Sequence, residues 1–188
     1  MFWALRGGGA GSWGVITSAT FQTFPTFNAS VHGVLIIAPT TGDAGTLARI
    51  HAQHAFDWDD IRAGQYFYMY NFLAMPELGA EMGLEGVLVM AATYFKDVDE
   101  EGARREMEGF MREVRALEAQ GGGVVVLQEN VAVATGNELL YSPDGEAGGE
   151  SVHASRLIPE WVYREKVEDI ARVHIELLNE GVQQYVVR

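Results

Sequence analysis

The sequence predicts an α+β fold, in which a mostly antiparallel sheet is covered by helices on one face. In residues 65–72 the tyrosines at 66, 68 and 70 alternate with other residue types, as in a strand that has one buried face. Residues 97–120 place an apolar stripe that includes Met107, Phe110 and Val114 on one side of a helix. Strands and long helices are mixed without the strict β-α-β alternation that a parallel sheet requires.

Further elements are predicted in the first half of the chain. Residues 13–24 are rich in Val, Ile, Thr and Phe and predict a strand that ends at Pro25. A second strand, residues 31–38, ends before Pro39. Residues 43–58 have the apolar spacing of a helix, and a loop around Pro76 is expected after the strand 65–72.

The second half of the chain begins with a predicted strand at residues 86–95. The 97–120 helix is stopped by the glycine run 121–123, after which residues 124–133 return as a strand. Residues 134–153 predict a polar, glycine-rich loop. Pro159 opens a last helix that ends at Gly181, and residues 182–187 form a final strand.

Composition excludes several classes of function. The 188 residues carry a formal net charge of −13, which repels phosphate and argues against binding to nucleic acid or to an anionic membrane. With no cysteine, the chain has no disulfide, thiolate metal site or cysteine nucleophile. It contains no apolar run of membrane-spanning length and no signal-peptide core at its start, and nothing in it indicates a cellular compartment.

A glycine-rich segment lies near the start of the chain. Residues 9–14 fit the G-x-G-x-x-G pattern of dinucleotide-binding folds. That pattern binds pyrophosphate only where a helix follows it, because the helix N-terminus supplies the backbone N–H groups. Here a β-branched segment, residues 15–20, follows directly. The segment is therefore not a Rossmann motif.

Two longer stretches carry a resemblance to a known family. Residues 2–17 have the sequence FWALRGGGAGSWGVIT, which resembles the FWALRGGGGGNFGVVT stretch of berberine-bridge-enzyme-like oxidoreductases in the vanillyl-alcohol-oxidase (PCMH-type) superfamily. Ser12 and Trp13 replace Asn and Phe. Far along the chain, residues 155–159 are SRLIP, a segment similar to one in fungal members. The order and separation of the two matches extend the resemblance over essentially the whole chain.

The resemblance implies FAD as cofactor and a division into two parts. Residues 1–27 correspond to the end of the FAD-binding domain, and residues 28–188 to most of the substrate domain. Glycines let the backbone approach a large planar cofactor closely, and in the family this turn lines the flavin. A glycine turn that touches no ligand is the alternative. The positions carried over as FAD contacts are Gly8, Gly9, Gly11, Trp13, Gly14, Val15 and Ile16.

The family also has parts that this sequence lacks. Its FAD domain has an N-terminal half with the pyrophosphate-binding loop, and many members attach the flavin there through a histidine and a cysteine. A C-terminal segment with an Asn-Tyr pair and a YDP stretch often supplies a catalytic tyrosine. We therefore expect the chain alone to hold no tightly bound FAD, and a second chain is a candidate source of the rest of the FAD domain.

Three tyrosines are the candidate catalytic residues of the substrate domain. Tyr66, Tyr68 and Tyr70 alternate along one strand, so they share one face, while Phe67 and Met69 face the helices. In the family one sheet face looks toward flavin and substrate. A tyrosine there can take a hydroxyl proton while hydride leaves for the flavin. An aromatic ladder that serves only packing is the alternative.

Glu129 is a further candidate, since it is the only carboxylate within the apolar run 124–133. Such a carboxylate either faces solvent or has a raised pKa and a chemical role. Tyr94 and Asn130 also lie in predicted strands and are candidates for the same cleft. His51 and His54 are spaced as a metal pair on a helix, but no acidic or cysteine partner accompanies them at ligand spacing, which favours packing and no metal.

Two functions from different classes follow. The first is an FAD-dependent oxidoreductase, or a part of one, which oxidises a C–H bond of an alcohol, a sugar or a secondary-metabolite ring, with hydride transfer to flavin and reoxidation by oxygen. The alternative is a truncated, non-catalytic module that binds a small molecule or pairs with another subunit. The predicted strand at residues 13–24 offers such a module an unpaired edge.

Overall fold

A five-stranded antiparallel sheet forms the centre of the molecule. The computed structural model describes residues 14, 15, 17–61, 63–136, 138 and 154–187. The strands are β1 (Asn28–Ala38), β2 (Gly64–Asn71), β3 (Val87–Lys96), β4 (Val125–Thr135) and β5 (Gln184–Val187). Their order across the sheet is β4-β1-β3-β2-β5, and every neighbouring pair is antiparallel.

Five helices are present in the described ranges. They are α1 (Thr41–His54), α2 (Pro76–Met82), α3 (Glu100–Ala119), α4 (Glu160–Glu165) and α5 (Val167–Asn179). The side chains of Thr40 and Asp99 accept hydrogen bonds from backbone N–H groups in the first turns of α1 and α3, and so fix where these helices begin. None of the described helices is long and apolar enough to cross a membrane.

The path of the chain places the main helices on one side of the sheet. Helix α1 joins β1 to β2 with β3 lying between them, and α3 joins β3 to β4 with β1 lying between them. Because such crossovers share one handedness, both helices pack on the same face. The core beneath them includes Ile36, Phe67 and Phe110. The α+β prediction, with helices on one face of an antiparallel sheet, is confirmed.

Three predictions of secondary structure are wrong. Residues 17–24 form no strand, and no described strand lies beside them to complete a ladder of backbone hydrogen bonds. The expected loop at Pro76 contains helix α2, which ends at Gly83 in the left-handed conformation. The last helix is broken at Lys166, whose φ of −129° is not helical. No glycine or proline marks that break.

Asn71 and His174 join the C-terminal elements to the sheet. The Asn71 side chain donates a hydrogen bond of 2.7 Å to the backbone oxygen of Leu178, and its backbone N–H donates to the side chain of Gln183. The side chains of His174 and Gln184 are hydrogen-bonded at 2.6 Å. These bonds hold α5 and β5 to the β2 edge of the sheet.

The core under α3 yields a stability prediction. Phe110 is 1% exposed, and its ring meets those of His51, His54 and Trp58 edge to face. Phe110→Ala removes these contacts and leaves a cavity, so we expect unfolding free energy to fall by about 3–5 kcal/mol. Urea denaturation measures it. Val173→Ala, at a site 43% exposed, is the control and changes stability by about 0.5 kcal/mol or less. Equal losses in the two variants would contradict this core.

Candidate functional site: the open face of the sheet

The face of the sheet opposite the helices is the candidate functional surface. Along β2 the side chains alternate, so Phe67 and Met69 are buried under the helices while the tyrosines at 66, 68 and 70 point to the other side. The sequence predicted this division of β2. In the described strands Lys96, at the end of β3, is the only outward-facing residue with a charged side chain.

The tyrosines form a continuous aromatic wall. The rings of Tyr66 and Tyr68 are stacked, with centroids 5.9 Å apart and planes inclined by 3°. The rings of Tyr68 and Tyr70 are also stacked, with centroids 6.4 Å apart and planes inclined by 13°. Tyr185 of β5 meets Tyr68 at 5.8 Å, and Tyr94 of β3 meets Tyr66 edge to face at 5.6 Å. This geometry suits both a packed ladder and a surface on which a substrate ring lies.

Beside this wall lies a shallow depression, which we call the trough. It spans β4, β1, β3 and β2 and has a volume of about 270 Å³. Gly33 pairs with Ala92 on one side and Asn130 on the other, so two small residues lie next to each other on this face. The outward-facing residues of the trough are Gly33, Leu35, Tyr68, Met90, Ala92, Gln128 and Asn130.

The structure brings together part of the predicted site. Tyr68 and Asn130 both line the trough, and Tyr94 lies next to Tyr66. Sequence reasoning missed Gly33, and the signal that could have revealed it was a glycine in the interior of a strand, where it costs stability. Gln128 and Met90 could not be found, because their proximity depends on the strand order.

Glu129 lies on the opposite face from the tyrosines, under α3, so it is not part of the trough. It pairs with Val34, whose side chain is buried beneath the helices. Its carboxylate bonds to the imidazole of His32 at 3.0 Å and to the Arg115 guanidinium. Desolvation raises the pKa of Glu129, but the hydrogen bonds from His32 and Arg115 outweigh it and lower the pKa overall. Both expectations, a solvated carboxylate and a raised pKa, are therefore wrong.

His32 is the buried partner of this carboxylate, with a side chain that is 1% exposed. Desolvation lowers its pKa and outweighs the hydrogen bond and the charge of Glu129, which raise it. The neutral ring donates from Nε2 to Glu129, while Nδ1 is buried and has no hydrogen-bond partner among the described atoms. Protonation would add a buried donor at Nδ1 without an acceptor, which is why the neutral form is favoured.

The histidine pair of α1 has packing and surface roles. His51 stacks on Phe67 with ring centroids 4.3 Å apart. His54 lies between two carboxylates, with Nδ1 2.6 Å from Asp57 and Nε2 2.9 Å from Glu113. In the described ranges no three acidic or histidine side chains converge to hold a metal ion.

Most of the glycine segment lies outside the described residues. Gly8, Gly9, Gly11, Trp13 and Ile16 are not described, so the expected FAD contacts there stay predictions. Gly14 is exposed with φ +142°, and a Cβ built on it would meet no described atom within 4 Å. Val15 is 91% exposed.

The molecule is thus an α+β domain with one open, aromatic sheet face that carries a single charged side chain, Lys96, in the described strands. No family model matches the chain, and no solved structure does. The FAD-linked oxidoreductase easE of Arthroderma otae is 35% identical over 89 residues, which are 45% of this chain and 14% of that protein. An uncharacterized FAD-linked oxidoreductase of Arthroderma benhamiae is 26% identical over 165 residues, 84% of this chain and 26% of the relative.

A third relative is the FAD-linked oxidoreductase malF of Malbranchea aurantiaca, which is 50% identical over 40 residues, 21% of this chain and 7% of its own. The chain thus spans about a quarter or less of the length of these curated relatives. It is similar to one portion of fungal FAD-linked oxidoreductases, which supports the general resemblance that the two sequence stretches indicated.

The buried histidine predicts a pH dependence of stability. The folded pKa of His32 is lowered from 6.5, so below about pH 6.5 the unfolded chain binds more protons and stability falls with falling pH. His174, whose pKa is lowered by burial despite its bond to Gln184, contributes in the same direction. Each histidine adds at most about 1.4 kcal/mol per pH unit.

We expect His32→Gln to reduce this slope, because glutamine keeps a donor for Glu129 but does not titrate near neutral pH. Urea denaturation at about pH 7.5 and about pH 5.5 measures the effect. His174→Gln is the matched variant and removes the other share of the slope. An unchanged slope in His32→Gln would show that His32 is not held neutral in the fold.

Proposed function

We propose that this chain is part of an FAD-dependent oxidoreductase of the berberine-bridge-enzyme-like type and contributes the surface that binds the substrate. The observation that carries the proposal is an open sheet face lined with tyrosines in a chain similar to FAD-linked oxidoreductases. In this assignment residues 1–27 belong to the FAD-binding domain and residues 28–188 to the substrate domain.

The glycine segment would hold the flavin. The described part of it fits that role, because Gly14 leaves open space and has a backbone conformation that side chains disfavour. Bound FAD would accept a hydride from a substrate carbon and pass the electrons on to oxygen. Groups that complete its site would come from the rest of the FAD domain, in the same polypeptide or in a second chain.

The substrate-binding role falls to the open face. Its apolar floor would contact the substrate ring, and its amide groups would orient the substrate. We assign the proton acceptor to Tyr68, because among the three tyrosines it is the one that lines the trough. Tyr68 would act as its phenolate and would take the hydroxyl proton of an alcohol or of a secondary-metabolite ring as the C–H bond is oxidised.

A second candidate function is a non-catalytic module that pairs with another polypeptide. Phe21 and Phe24, in the extended segment before β1, are 80% and 83% exposed. Two exposed aromatic rings so close in the sequence could form an apolar patch, and such patches often mark contact sites for another protein. The flavin absorbance of the purified chain, alone and with a candidate partner chain, separates the two. Stoichiometric flavin in the assembly supports the enzyme, and a colourless, folded assembly supports the module.

The Gly14→Val variant tests the flavin contact in the flavin-bearing assembly. Valine there would fill the open space and would have to adopt φ +142°, which β-branched residues avoid. We expect the flavin-to-protein ratio to fall well below that of the wild type, with little change in melting temperature, because the position is exposed. The two quantities are measured together on the soluble, folded protein.

Gly121→Val is the matched control, since Gly121 also has a positive φ, of +74°, and open space around a built Cβ, but lies outside the glycine segment. A loss of folded protein with normal flavin in the remainder would assign Gly14 to packing. The oxidoreductase proposal would then rest on the sequence similarity alone.

Replacement of single tyrosines by phenylalanine tests the proton acceptor. Tyr68→Phe keeps the ring in its stack but removes the hydroxyl, so we expect kcat to fall by about 10²–10⁴. Tyr66→Phe and Tyr70→Phe are the controls and retain most of the activity. Flavin reduction by substrate in the absence of oxygen is the measurement. A loss at Tyr66 or Tyr70 instead would move the role to that residue, and no loss in any variant would assign the ladder to packing.

A further inference from the structure

The floor of the trough is built from unusually small residues at the centre of the sheet. Gly33 and Ala92 are direct partners in the two strands β1 and β3, which both have neighbours on either side. Glycine in a strand interior lowers stability, and such a position often marks the close approach of a ligand. A Cβ at Gly33 would lie 2.9 Å from Oδ1 of Asn130, so the missing side chain also gives that amide its place.

The walls of the trough differ in chemistry. On the β2 side stands the ring of Tyr68, held within the stack of tyrosines. On the β4 side stand the amides of Gln128 and Asn130, which donate and accept hydrogen bonds without carrying charge. None of the residues that line the trough is an aspartate, glutamate, histidine, lysine or arginine, although the whole chain has a net charge of −13.

We propose that the trough binds a flat, uncharged ring system with one hydrogen-bonding substituent. The ring would lie on Gly33 and Ala92 beside Tyr68, and Asn130 would bind the substituent. The assignment of this ring system as the substrate rests on the proposed oxidoreductase function. Gly33 and Asn130 are then the residues that determine specificity. Gly33 leaves space for the ring, and Asn130 forms a hydrogen bond with the substituent.

The same features disfavour a sugar or a charged ligand. A sugar has hydroxyl groups around its whole ring, and those above Leu35 and Met90 would lose water without gaining a partner. A carboxylate or an ammonium group would find no opposite charge in the trough. The volume of about 270 Å³ is just below the range of about 300–1,000 Å³ typical of ligand pockets, which suits a compact fused ring.

Binding of small probes to the 188-residue chain tests the proposal. The probes are 2-naphthol, its saturated analogue 2-decalol, which is not flat, the charged 2-naphthoate, and methyl glucoside. NMR titration follows the amide of Gly33, the methyl group of Met90 and the side-chain amide of Asn130. We expect 2-naphthol to shift these signals in a saturable manner and to bind at least about tenfold tighter than the other three.

Two variants with a matched control locate the site. Gly33→Val places a branched side chain on the floor and abolishes binding, whereas its β-propensity suits a strand. Ala132→Val makes a similar change on the same face of β4 outside the trough, and leaves binding unchanged. Asn130→Leu weakens 2-naphthol by about two- to tenfold but leaves naphthalene unaffected, because only the hydroxyl needs the amide.

The proposal is overturned if none of the probes binds, if methyl glucoside or 2-decalol binds as tightly as 2-naphthol, or if Gly33→Val and Ala132→Val bind alike. These results are independent of flavin. If the assembly holds FAD but the chain does not bind 2-naphthol, the proposed substrate class is refuted and the oxidoreductase proposal stands. If the chain binds 2-naphthol specifically but no assembly holds flavin, the trough stands as a ligand site and the oxidoreductase proposal is refuted.

Discussion

Phe67 and Met69 fix β2 against the helices, and the rest of the functional face follows from this contact. Because side chains of a strand alternate, burying these two residues turns the tyrosines at 66, 68 and 70 outward. A register shift of one residue would put phenol groups into the core and phenylalanine on the surface. The packing of Phe67 against His51 in the core therefore also determines that the open face is aromatic.

The same alternation explains why Glu129 could not be assigned from its sequence neighbours. In residues 124–133 apolar side chains occupy both alternating sets of positions, so the sequence does not indicate which face of this strand is buried. A bulge between Leu35 and Ile36 shifts the pairing of β4, and the register then turns Glu129 toward α3. There the neutral His32 donates a hydrogen bond to it and the Arg115 guanidinium pairs with its charge. Only the pairing with β1 reveals that the carboxylate ties an edge strand to a helix.

The features that the sequence could predict were those with a strong local pattern. The stripe with Met107 and Phe110 defined α3, and the alternation at 65–72 defined β2 and its two faces. The segment 17–24 has strand composition, but a strand also needs a partner, which composition does not supply. The trough joins Gly33, Ala92 and Asn130 from three strands, so it exists only once their order is known.

The distribution of charge connects the fold to the proposed chemistry. Most acidic and basic side chains of the described residues lie on the helices, where pairs such as Glu100 with Arg104 and Asp169 with Arg172 are exposed. The open face carries almost none, although an ordinary solvent-exposed sheet face would be polar. In the proposed enzyme Tyr68 would accept the proton as its phenolate, and the trough has no charged side chain that would pair with that anion or repel it. The uncharged floor is what the binding of a flat, uncharged ring requires, because no charged side chain would lose its water beneath the ring.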